Sequence, residues 1–288
     1  MKEYVICTDS ACDISPELLS EWGVVSRALT FRFDGDEKEY SNSDMPTSKF
    51  YARMREGGIA KTAAVNTACF KEAFESIIKD GKDVLYLGFS SGLSTTYNSA
   101  RLAAAALAEE YPDAKILTVD TLCASAGEGL LLYLVLEKKN GGATIEEASE
   151  YAKELVPSLC HWFTVDDLVY LKRGGRISPA AAFFGNLIGI KPVLHVDDEG
   201  HLVNVEKVRG RRGALSAMAD KYGETALDKD GGTVFISHAD CIKDAELLAS
   251  MLKERYGATV KIITDVGTVI GAHSGPGTLA LFFVGKYR

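Results

Sequence analysis

The sequence predicts a two-domain α/β protein, and three observations carry that prediction. The chain has 288 residues, which is more than one ordinary core holds. Its first half alternates short apolar segments with amphipathic helical ones, which indicates βαβ units and a parallel sheet. Its second half adds a hairpin pattern, which indicates a mixed α/β domain. We therefore expect an N-terminal domain over residues 1–157 and a C-terminal domain over residues 158–288.

The N-terminal elements follow from apolar periodicity and from capping residues. Strands are expected at residues 4–8, 24–33, 84–88 and 115–119. Helices are expected at residues 16–22, 47–55, 67–79, 93–111, 124–138 and 144–156. Ser15 supplies an N-cap for the first helix, and Pro16 suits its first helical position. Thr144 and Glu147 have the spacing of a capping box, which fixes the start of the last helix of this half.

The C-terminal elements are read in the same way. Strands are expected at residues 160–165, 193–196, 202–208, 233–237, 259–264 and 281–284, and helices at residues 214–227 and 240–256. The polar residues 197–200 predict the turn of a hairpin. The apolar stretch 183–190 is compatible with ordinary core or with the wall of an apolar tunnel, and the sequence leaves both interpretations open.

Composition restricts the function classes. A net charge of −8 and a pI of about 5.3 argue against general affinity for nucleic acid, which needs a basic face. The chain opens on a strand-like stretch rather than a signal peptide, and no apolar run reaches the ~18 residues of a membrane helix. We therefore expect a cytoplasmic protein with at most transient contact with a membrane surface. Six cysteines without a C-x-x-C pair predict buried free thiols and no metal site.

Three uncharged or weakly basic side chains stand out as candidate ligand groups. Ser94 lies in a polar turn between a predicted strand and a helix, where α/β sheets bind ligands and where anions find free N–H groups. The same serine is equally compatible with a simple capping role. Thr62 lies in the preceding crossover loop, and His273 lies in a Gly/Pro/Ser loop that follows an apolar strand. An ordinary structural role is the alternative for each.

Two tight basic clusters interrupt this acidic sequence. The first contains Lys172, Arg173 and Arg176, and the second comprises residues 209–212 with three arginines. Solvated surface charge is the default interpretation of any one of them. Their grouping favours a docking site for an acidic partner or a phosphate.

These segments, together with Thr8-Asp9-Ser10 and Ile190-Lys191-Pro192-Val193, resemble the DegV family in order and spacing over nearly the whole chain. The resemblance implies a bacterial protein that buries one long-chain fatty acid between two α/β domains and performs no chemistry on it. It implies no cofactor beyond that ligand. It also implies a separate ATP-dependent fatty acid kinase subunit, to which the protein presents the acyl carboxylate.

The resemblance assigns roles to eight residues of this chain. By it, Thr62, Ser94 and His273 bind the carboxylate, and the neighbouring Thr95 and Ser274 join the ligand site. By it also, the partner kinase docks on arginines of the two basic clusters, namely Arg173, Arg176 and Arg209. The chain departs from the family pattern at residues 63–65, where Ala-Ala-Val replaces Ser-Gln-Pro, and at residue 95, where threonine replaces glycine. Those departures leave the acyl preference open.

An acyl ligand is energetically reasonable for such a site. Burying an unpaired carboxylate is costly, and three hydrogen-bond donors offset part of that cost. The tail contributes about 0.8 kcal/mol for each buried methylene, hence up to ~11 kcal/mol for ~14 methylenes before binding entropy is subtracted.

Three other functions remain open on the sequence alone. A serine hydrolase would use Ser94 with His273 and either Asp9 or Asp120, although the chain lacks the G-x-S-x-G elbow. A kinase-like or dihydroxyacetone-binding protein would use His273 as a covalent anchor, and it would need a separate ATP-binding partner because the chain lacks a P-loop. A small-molecule-binding regulatory protein is the third alternative.

Overall fold

The fold is α/β, as the sequence predicts. The computed structural model describes residues 2–178 and 189–288. Its strands are β1 (Tyr4–Asp9), β2 (Val25–Arg27), β3 (Thr30–Phe33), β4 (Tyr40–Ser41), β5 (Ala60–Ala63), β6 (Asp83–Gly88), β7 (Ile116–Asp120), β8 (Leu159–Thr164), β9 (Ile190–Val196), β10 (Leu202–Arg209), β11 (Val234–His238), β12 (Val260–Asp265) and β13 (Leu279–Val284).

The helices cover the sheets or connect their strands. They are α1 (Pro16–Glu21), α2 (Thr47–Arg55), α3 (Thr67–Lys79), α4 (Thr96–Glu110), α5 (Ala126–Asn140), α6 (Ile145–Leu155), α7 (Val169–Arg173), α8 (Gly210–Thr225), α9 (Ile242–Tyr256) and α10 (Thr268–Ser274). Single 3-10 turns at Ser10–Cys12 and Val156–Ser158 follow β1 and α6. The predicted domain boundary after residue 157 falls within the second of these turns and remains a prediction.

The first sheet is parallel, in the order β2-β1-β6-β7. All six residues of β6 are buried, as expected of a strand covered on both faces. The strands end at one edge of the sheet, where Asp9, Gly88 and Asp120 are their last residues. The turn that carries Ser94 begins at this edge.

The second sheet is mixed, in the order β10-β9-β8-β13-β11-β12, with β11 and β12 as its parallel pair. The predicted hairpin is confirmed, because β9 and β10 pair antiparallel around residues 197–200. Side chains alternate between its two faces. On β13, Ala280 and Phe282 pack in the core cluster that includes α5, whereas Leu279 and Leu281 pack in the cluster that includes α8 and α9.

Helix α5 links the two sheets. It contacts β6 of the parallel sheet and β8, β11 and β13 of the mixed sheet. Its buried leucines Leu130, Leu131 and Leu132 explain this position, because a helix that is apolar on most sides packs between layers. A third, small antiparallel sheet in the order β4-β3-β5 packs with α2 and α10 around Phe31 and Phe50.

Four local predictions are wrong, and each error affects the candidate site. The strand expected over residues 24–33 is two strands, β2 and β3, in different sheets. Thr62 lies on β5 rather than in a loop, and His273 lies on α10 rather than in a loop. Lys172 and Arg173 form the last turn of α7 rather than a loop. The prediction for the apolar stretch 183–190 falls mostly on residues outside those described.

The described residues also bear on membrane spanning, metal binding and the state of the cysteines. No helix among them is long and apolar enough to cross a membrane. They contain no group of His, Cys, Asp and Glu side chains arranged to hold a metal ion. The six cysteines are free thiols, but the prediction that all are buried is wrong, because Cys69 is exposed and Cys241 is half-buried.

Candidate functional site

A cavity of about 540 Å³ lies between the carboxyl edge of the parallel sheet and the face of the mixed sheet that α5 covers. The five predicted ligand residues all line it, namely Thr62, Ser94, Thr95, His273 and Ser274. They come from β5, the turn before α4, and α10, which are distant in sequence. We refer to these five residues together with Arg176 as the head pole. The fold therefore collects the polar candidates at one place.

Thr62 and His273 are in direct contact. The Thr62 Oγ1 and His273 Nε2 atoms lie 2.8 Å apart. Strand β5 pairs with β3, with Thr62 opposite Phe31, and this register holds the threonine in place. Position 174 is a glycine because a Cβ there would lie 2.2 Å from His273 Nδ1. The Nδ1 atom is buried and has no hydrogen-bond partner among the described residues.

The imidazole of His273 is neutral at physiological pH. Burial, together with the nearby Arg176 guanidinium, lowers the pKa of His273 to about 4. The sequence left this protonation state open. A neutral ring carries one N–H donor and one acceptor nitrogen, so the positive charge at the head pole comes from Arg176.

Arg176 lies in the lining of the cavity rather than beside Arg173 on the surface. Its Nε donates to the carbonyl oxygen of Leu93 at 3.2 Å, and its terminal NH1 nitrogen donates to the carbonyl oxygen of Gly174 at 2.5 Å. It therefore joins the Ser94 turn to the segment that touches His273. The sequence assigned this arginine only to partner docking, because both basic clusters looked alike in sequence.

Ser94 lines the cavity, and its hydroxyl is bonded to the start of α4. Its Oγ accepts a hydrogen bond from the backbone N–H of Thr96 at 3.2 Å and lies 2.9 Å from Thr96 Oγ1. The N-cap residue of α4 is Thr95, which makes no side-chain cap hydrogen bond, so Ser94 is not the N-cap. Ser91, Thr95 and Gly175 are exposed residues of the lining. The cavity is therefore open to solvent at these residues, which lie close in sequence to Ser94 and Arg176 of the head pole.

Ser274 is a buried hydroxyl in the lining. Its residue is 5% exposed, and its Oγ has no hydrogen-bond partner among the described residues. A buried polar atom without a partner calls for an explanation, and a ligand oxygen is one. The following residues, through Thr278, lead directly into β13, which forms the wall of the cavity away from the head pole.

The wall of the cavity is mostly apolar and follows the strands of the mixed sheet. On β13, Ala280 faces Phe163 of β8 on one side and Ser237 of β11 on the other. Two residues further along, Phe282 faces His161. From Thr278 to Phe282 the strand spans roughly 14 Å at ~3.4 Å per residue. We refer to Phe163, His161, Ser237, Ala280 and Phe282 as the tail wall.

The polar members of the wall are hydrogen-bonded within the protein. The hydroxyl groups of Ser237 and Ser125 lie 2.8 Å apart, and Ser125 Oγ lies 2.5 Å from Asp13 Oδ2. Burial raises the pKa of Asp13 to about 8. The ring of His161 lies 3.0 Å, at Nδ1, from the carbonyl oxygen of Leu159, and burial moves its pKa well below the ordinary value. The wall therefore presents little net charge.

Two of the predicted docking arginines are exposed. Arg173 ends α7, two residues before the exposed Gly175 of the lining. Arg209 ends β10. Asp166, which precedes α7, binds Lys191 at 2.6 Å and approaches Arg211 to 3.9 Å. Arg211 is itself paired with Asp244 at 2.8 Å.

The triad of the hydrolase alternative is not assembled among the described residues. His273 is bonded to Thr62 rather than to Ser94, and its Nδ1 contacts no carboxylate there. Asp9 is engaged by Tyr86. Asp120 accepts hydrogen bonds from the backbone N–H of Leu122 in its own loop and from that of Ser91 in the turn after β6. The geometry gives no support to nucleophilic catalysis by this serine.

Sequence reasoning missed the tail wall. Its residues belong to buried strands, and their available signal is the alternation of side chains along each strand. That alternation is the same for any strand packed in a core. Both departures from the family pattern reach this cavity, since Ala64 and Thr95 line it.

Comparison with known proteins extends over the whole chain. The model of the DegV family matches residues 3–286. A DegV domain-containing protein of Clostridium perfringens is 43% identical over 289 aligned residues, covering 100% of this chain and 99% of that protein. A solved DegV lipid-binding protein from Thermotoga maritima is 31% identical with a TM-score of 0.87, covering 99% of each chain. A solved stearic-acid-binding protein from Eubacterium ventriosum is 28% identical with a TM-score of 0.88, again covering 99% of each chain.

Proposed function

The chain belongs to the DegV family, and from this membership we propose that it binds one long-chain fatty acid in the cavity between its two sheets. The observation that carries the proposal is the polarity of that cavity. Neutral donors and one guanidinium gather at one end, and phenylalanine and alanine side chains form the wall beyond them. A fatty acid has the same division between an acidic head and an apolar tail.

The head pole binds the carboxylate through hydroxyl donors. When the Nε2–H of His273 donates to Thr62 Oγ1, the hydroxyl hydrogen of Thr62 is left to donate to the ligand. In the same way, a hydrogen bond from Thr96 Oγ1 to Ser94 Oγ leaves the Ser94 hydroxyl hydrogen for the ligand. Ser274 Oγ supplies a third buried donor. Arg176 offsets the negative charge, which is costly to bury without a counter-ion.

The tail lies along the wall of the mixed sheet. Ala280 is the small residue at the centre of this wall, with Phe163 opposite it and Phe282 further along. Each methylene buried there contributes about 0.8 kcal/mol. The tail therefore supplies most of the affinity, and the head pole fixes the direction in which the acid enters.

The second part of the proposal concerns the use of the bound carboxylate, and it involves the exposed arginines. The bound carboxylate is presented at the opening of the head pole to a separate ATP-dependent fatty acid kinase, in the bacterial cytoplasm. A carboxylate oxygen attacks the γ-phosphorus of ATP, so that an acyl phosphate and ADP are formed. The DegV chain itself acts as the acyl carrier and not as the catalyst. Arg173 and Arg209, which are both exposed, dock the kinase.

Mass spectrometry tests the binding. Protein purified from a bacterial host is measured under native and denaturing conditions, and organic extracts are analysed for fatty acids. We expect a native mass higher than the chain mass by one fatty acid, which is released on denaturation. A chain that carries no acyl ligand and takes up none when palmitic or oleic acid is added contradicts the proposal.

A reconstituted reaction tests the presentation. The acyl-loaded protein is incubated with ATP and a fatty acid kinase subunit from a DegV-containing bacterium, and acyl phosphate is trapped with hydroxylamine. Arg173→Ala and Arg209→Ala should lower the rate while acyl affinity stays within about twofold. Arg255→Ala, which breaks the exposed pair between Arg255 of α9 and Asp220 of α8, is the matched control. Equal rates for all of these proteins would show that the two arginines do not dock the kinase.

A further inference from the structure

The motif Thr8-Asp9-Ser10 lies behind the head pole rather than in the lining of the cavity. It forms the end of β1 and the start of the 3-10 turn Ser10–Cys12. Its side chains and carbonyl groups nevertheless make hydrogen bonds to the segments that carry the head-pole residues. These bonds suggest what the motif does.

The carboxylate of Asp9 is fully buried and accepts three hydrogen bonds. The hydroxyl of Tyr86 donates to Oδ2 at 2.6 Å, and the backbone N–H of Phe89 donates to the same oxygen at 3.1 Å. The backbone N–H of Ala11 donates to Oδ1 at 3.0 Å. Phe89 is the first residue of the turn that leads to Ser94, so Asp9 holds this turn where it leaves the sheet.

The local sequence of β6 makes room for this arrangement. A Cβ at position 88 would lie 2.4 Å from Cε1 of the Tyr86 ring, so glycine allows the ring to fold back over the strand end. That ring position places the Tyr86 hydroxyl on Asp9. The end of β6 is therefore shaped to reach the carboxylate of the neighbouring strand.

The next residue, Ser10, holds the other half of the head pole. Its carbonyl oxygen accepts a hydrogen bond from Asn42 Nδ2 at 2.9 Å. The Oδ1 of Asn42 in turn accepts from Thr268 Oγ1 at 2.7 Å and from the backbone N–H of Val269 at 3.3 Å. These two residues begin α10, whose own N-cap Gly267 offers no side chain. Asn42 therefore caps the helix that carries His273.

We propose that Asp9 and Ser10 form a positioning centre for head-group recognition, in which Asp9 fixes the Ser94 turn and Ser10, through Asn42, fixes the His273 helix. Because these two segments come from residues far apart in sequence, their relative position needs a common support. The motif provides this support from the end of strand β1. This inference rests on the proposed function, because it assumes that the head pole binds a carboxylate.

Substitution of Asp9 by Asn tests the inference. An amide presents one acceptor oxygen where the carboxylate presents two, so the three donors cannot all be satisfied. The affinities for hexadecanoic acid and for hexadecanol are measured by displacement of a fluorescent acyl probe. We expect Asp9→Asn to weaken acid binding by about tenfold and alcohol binding by less than about twofold, because only the acid depends on the placed donors.

Asp83→Asn is the matched control. Asp83 is a buried carboxylate at the other end of the same strand β6, where it accepts from Lys2 Nζ at 2.6 Å and from the backbone N–H of Lys115 at 2.9 Å. Asp83→Asn should lower the melting temperature of the protein without changing the ratio of acid to alcohol affinity. A role of Asp9 in stability alone would leave that ratio unchanged in both variants.

Asn42→Ala provides a second variant if Asp9→Asn fails to fold, since Asn42 is only half-buried. It should lower the acid-to-alcohol ratio by about threefold through the loss of the cap on α10. Ratios equal to that of the wild type in the folded variants would overturn the inference alone. Wild-type protein that binds neither acid nor alcohol would overturn the proposed function together with it.

Discussion

The head pole and the tail wall of the cavity differ in origin, in chemistry and in the energy they offer a ligand. The head pole collects side chains from a short strand, a turn, a seven-residue helix and the segment that follows α7, each supported by contacts outside itself. The tail wall is one face of the mixed sheet, built of alternating residues that also belong to the core. A few hydrogen bonds act at one end, and many apolar contacts act along the rest.

Because of this difference, the two regions should determine different properties of ligand binding. A hydrogen bond to a charged group contributes about 1.5–3 kcal/mol, whereas the tail contributes about 0.8 kcal/mol for every buried methylene. The tail wall should therefore set how tightly an acid binds. The head pole should set which end of the ligand is recognised and where the carboxylate lies.

The largest expected effect comes from narrowing the tail wall. Ala280→Phe places a ring between Phe163 and Ser237, at the centre of the wall. The tail then loses access to the part of the wall that lies beyond. Excluding even four methylenes costs about 3 kcal/mol, so we expect at least a hundredfold weaker binding of hexadecanoic acid, measured by isothermal titration or probe displacement.

Leu281→Phe controls for the strain of a larger side chain. Leu281 lies on the same strand but on the opposite face, among the residues packed with α8 and α9. It should cost stability without changing acyl affinity by more than about twofold. Ala280→Phe that binds a C16 acid as tightly as the wild type would place the tail elsewhere in the molecule.

A smaller effect is expected at the head pole. Thr62→Val keeps the shape of the side chain but removes the hydroxyl that contacts His273. The loss of one hydrogen bond to a carboxylate should weaken acid binding by about tenfold and leave alcohol binding nearly unchanged. Thr30→Val, on the neighbouring strand β3 and away from the lining of the cavity, is the control.

The proposed difference between the two regions is wrong if Thr62→Val weakens binding more than Ala280→Phe does. Loss of all binding in Thr62→Val, together with normal binding in Ala280→Phe, would mean that the head group dominates the energy. Measuring the affinity for acids of C12 to C18 gives a more precise test of the role of the tail wall. The wild-type affinity should rise with chain length until the wall ends near Phe282 and His161.

The same contrast explains what the sequence could predict. Ser94, Thr62 and His273 stood out because hydroxyl and imidazole groups beside glycines are unusual at strand ends, and the ordered motifs added the resemblance. Ala280 and Phe282 did not stand out, because alternation on a buried strand is typical of any core. Their role depends on which face of the sheet the cavity occupies, and that is a tertiary property.

The local errors have a tertiary cause too. Residues 271–277 contain three glycines and a proline and are predicted to form a loop. Thr268–Ser274 nevertheless forms a helix capped by Asn42, which is more than 200 residues away in sequence. Thr62 reads as a loop residue because β5 is four residues long and pairs only with β3 among the described strands. Such short elements are decided by their partners and not by their own propensities.

The smallest expected effect is the response of affinity to pH. With a pKa of about 4, His273 stays neutral from pH 8 to pH 6, and a fatty acid carboxyl, like the side chain of Glu, stays ionised over that range. Arg176 keeps its charge throughout, and burial moves the pKa of His161 well below its ordinary value. Asp13, with a pKa of about 8, loses its charge between pH 8 and pH 6, but it lies behind Ser125 and outside the lining of the cavity. Acid affinity should therefore change by less than about twofold.

An imidazolium at the head pole would behave differently. If the pKa of His273 were near the ordinary 6.5, protonation on going from pH 8 to pH 6 would add a positive charge beside the carboxylate and strengthen binding severalfold. Histidine titration followed by NMR, with His273→Gln to assign the resonance, separates the two cases. A rise in affinity that is present in the wild type and absent from His273→Gln would show that the head pole recognises its ligand by charge, and the contrast with the uncharged tail wall would then be sharper than the neutral donors imply.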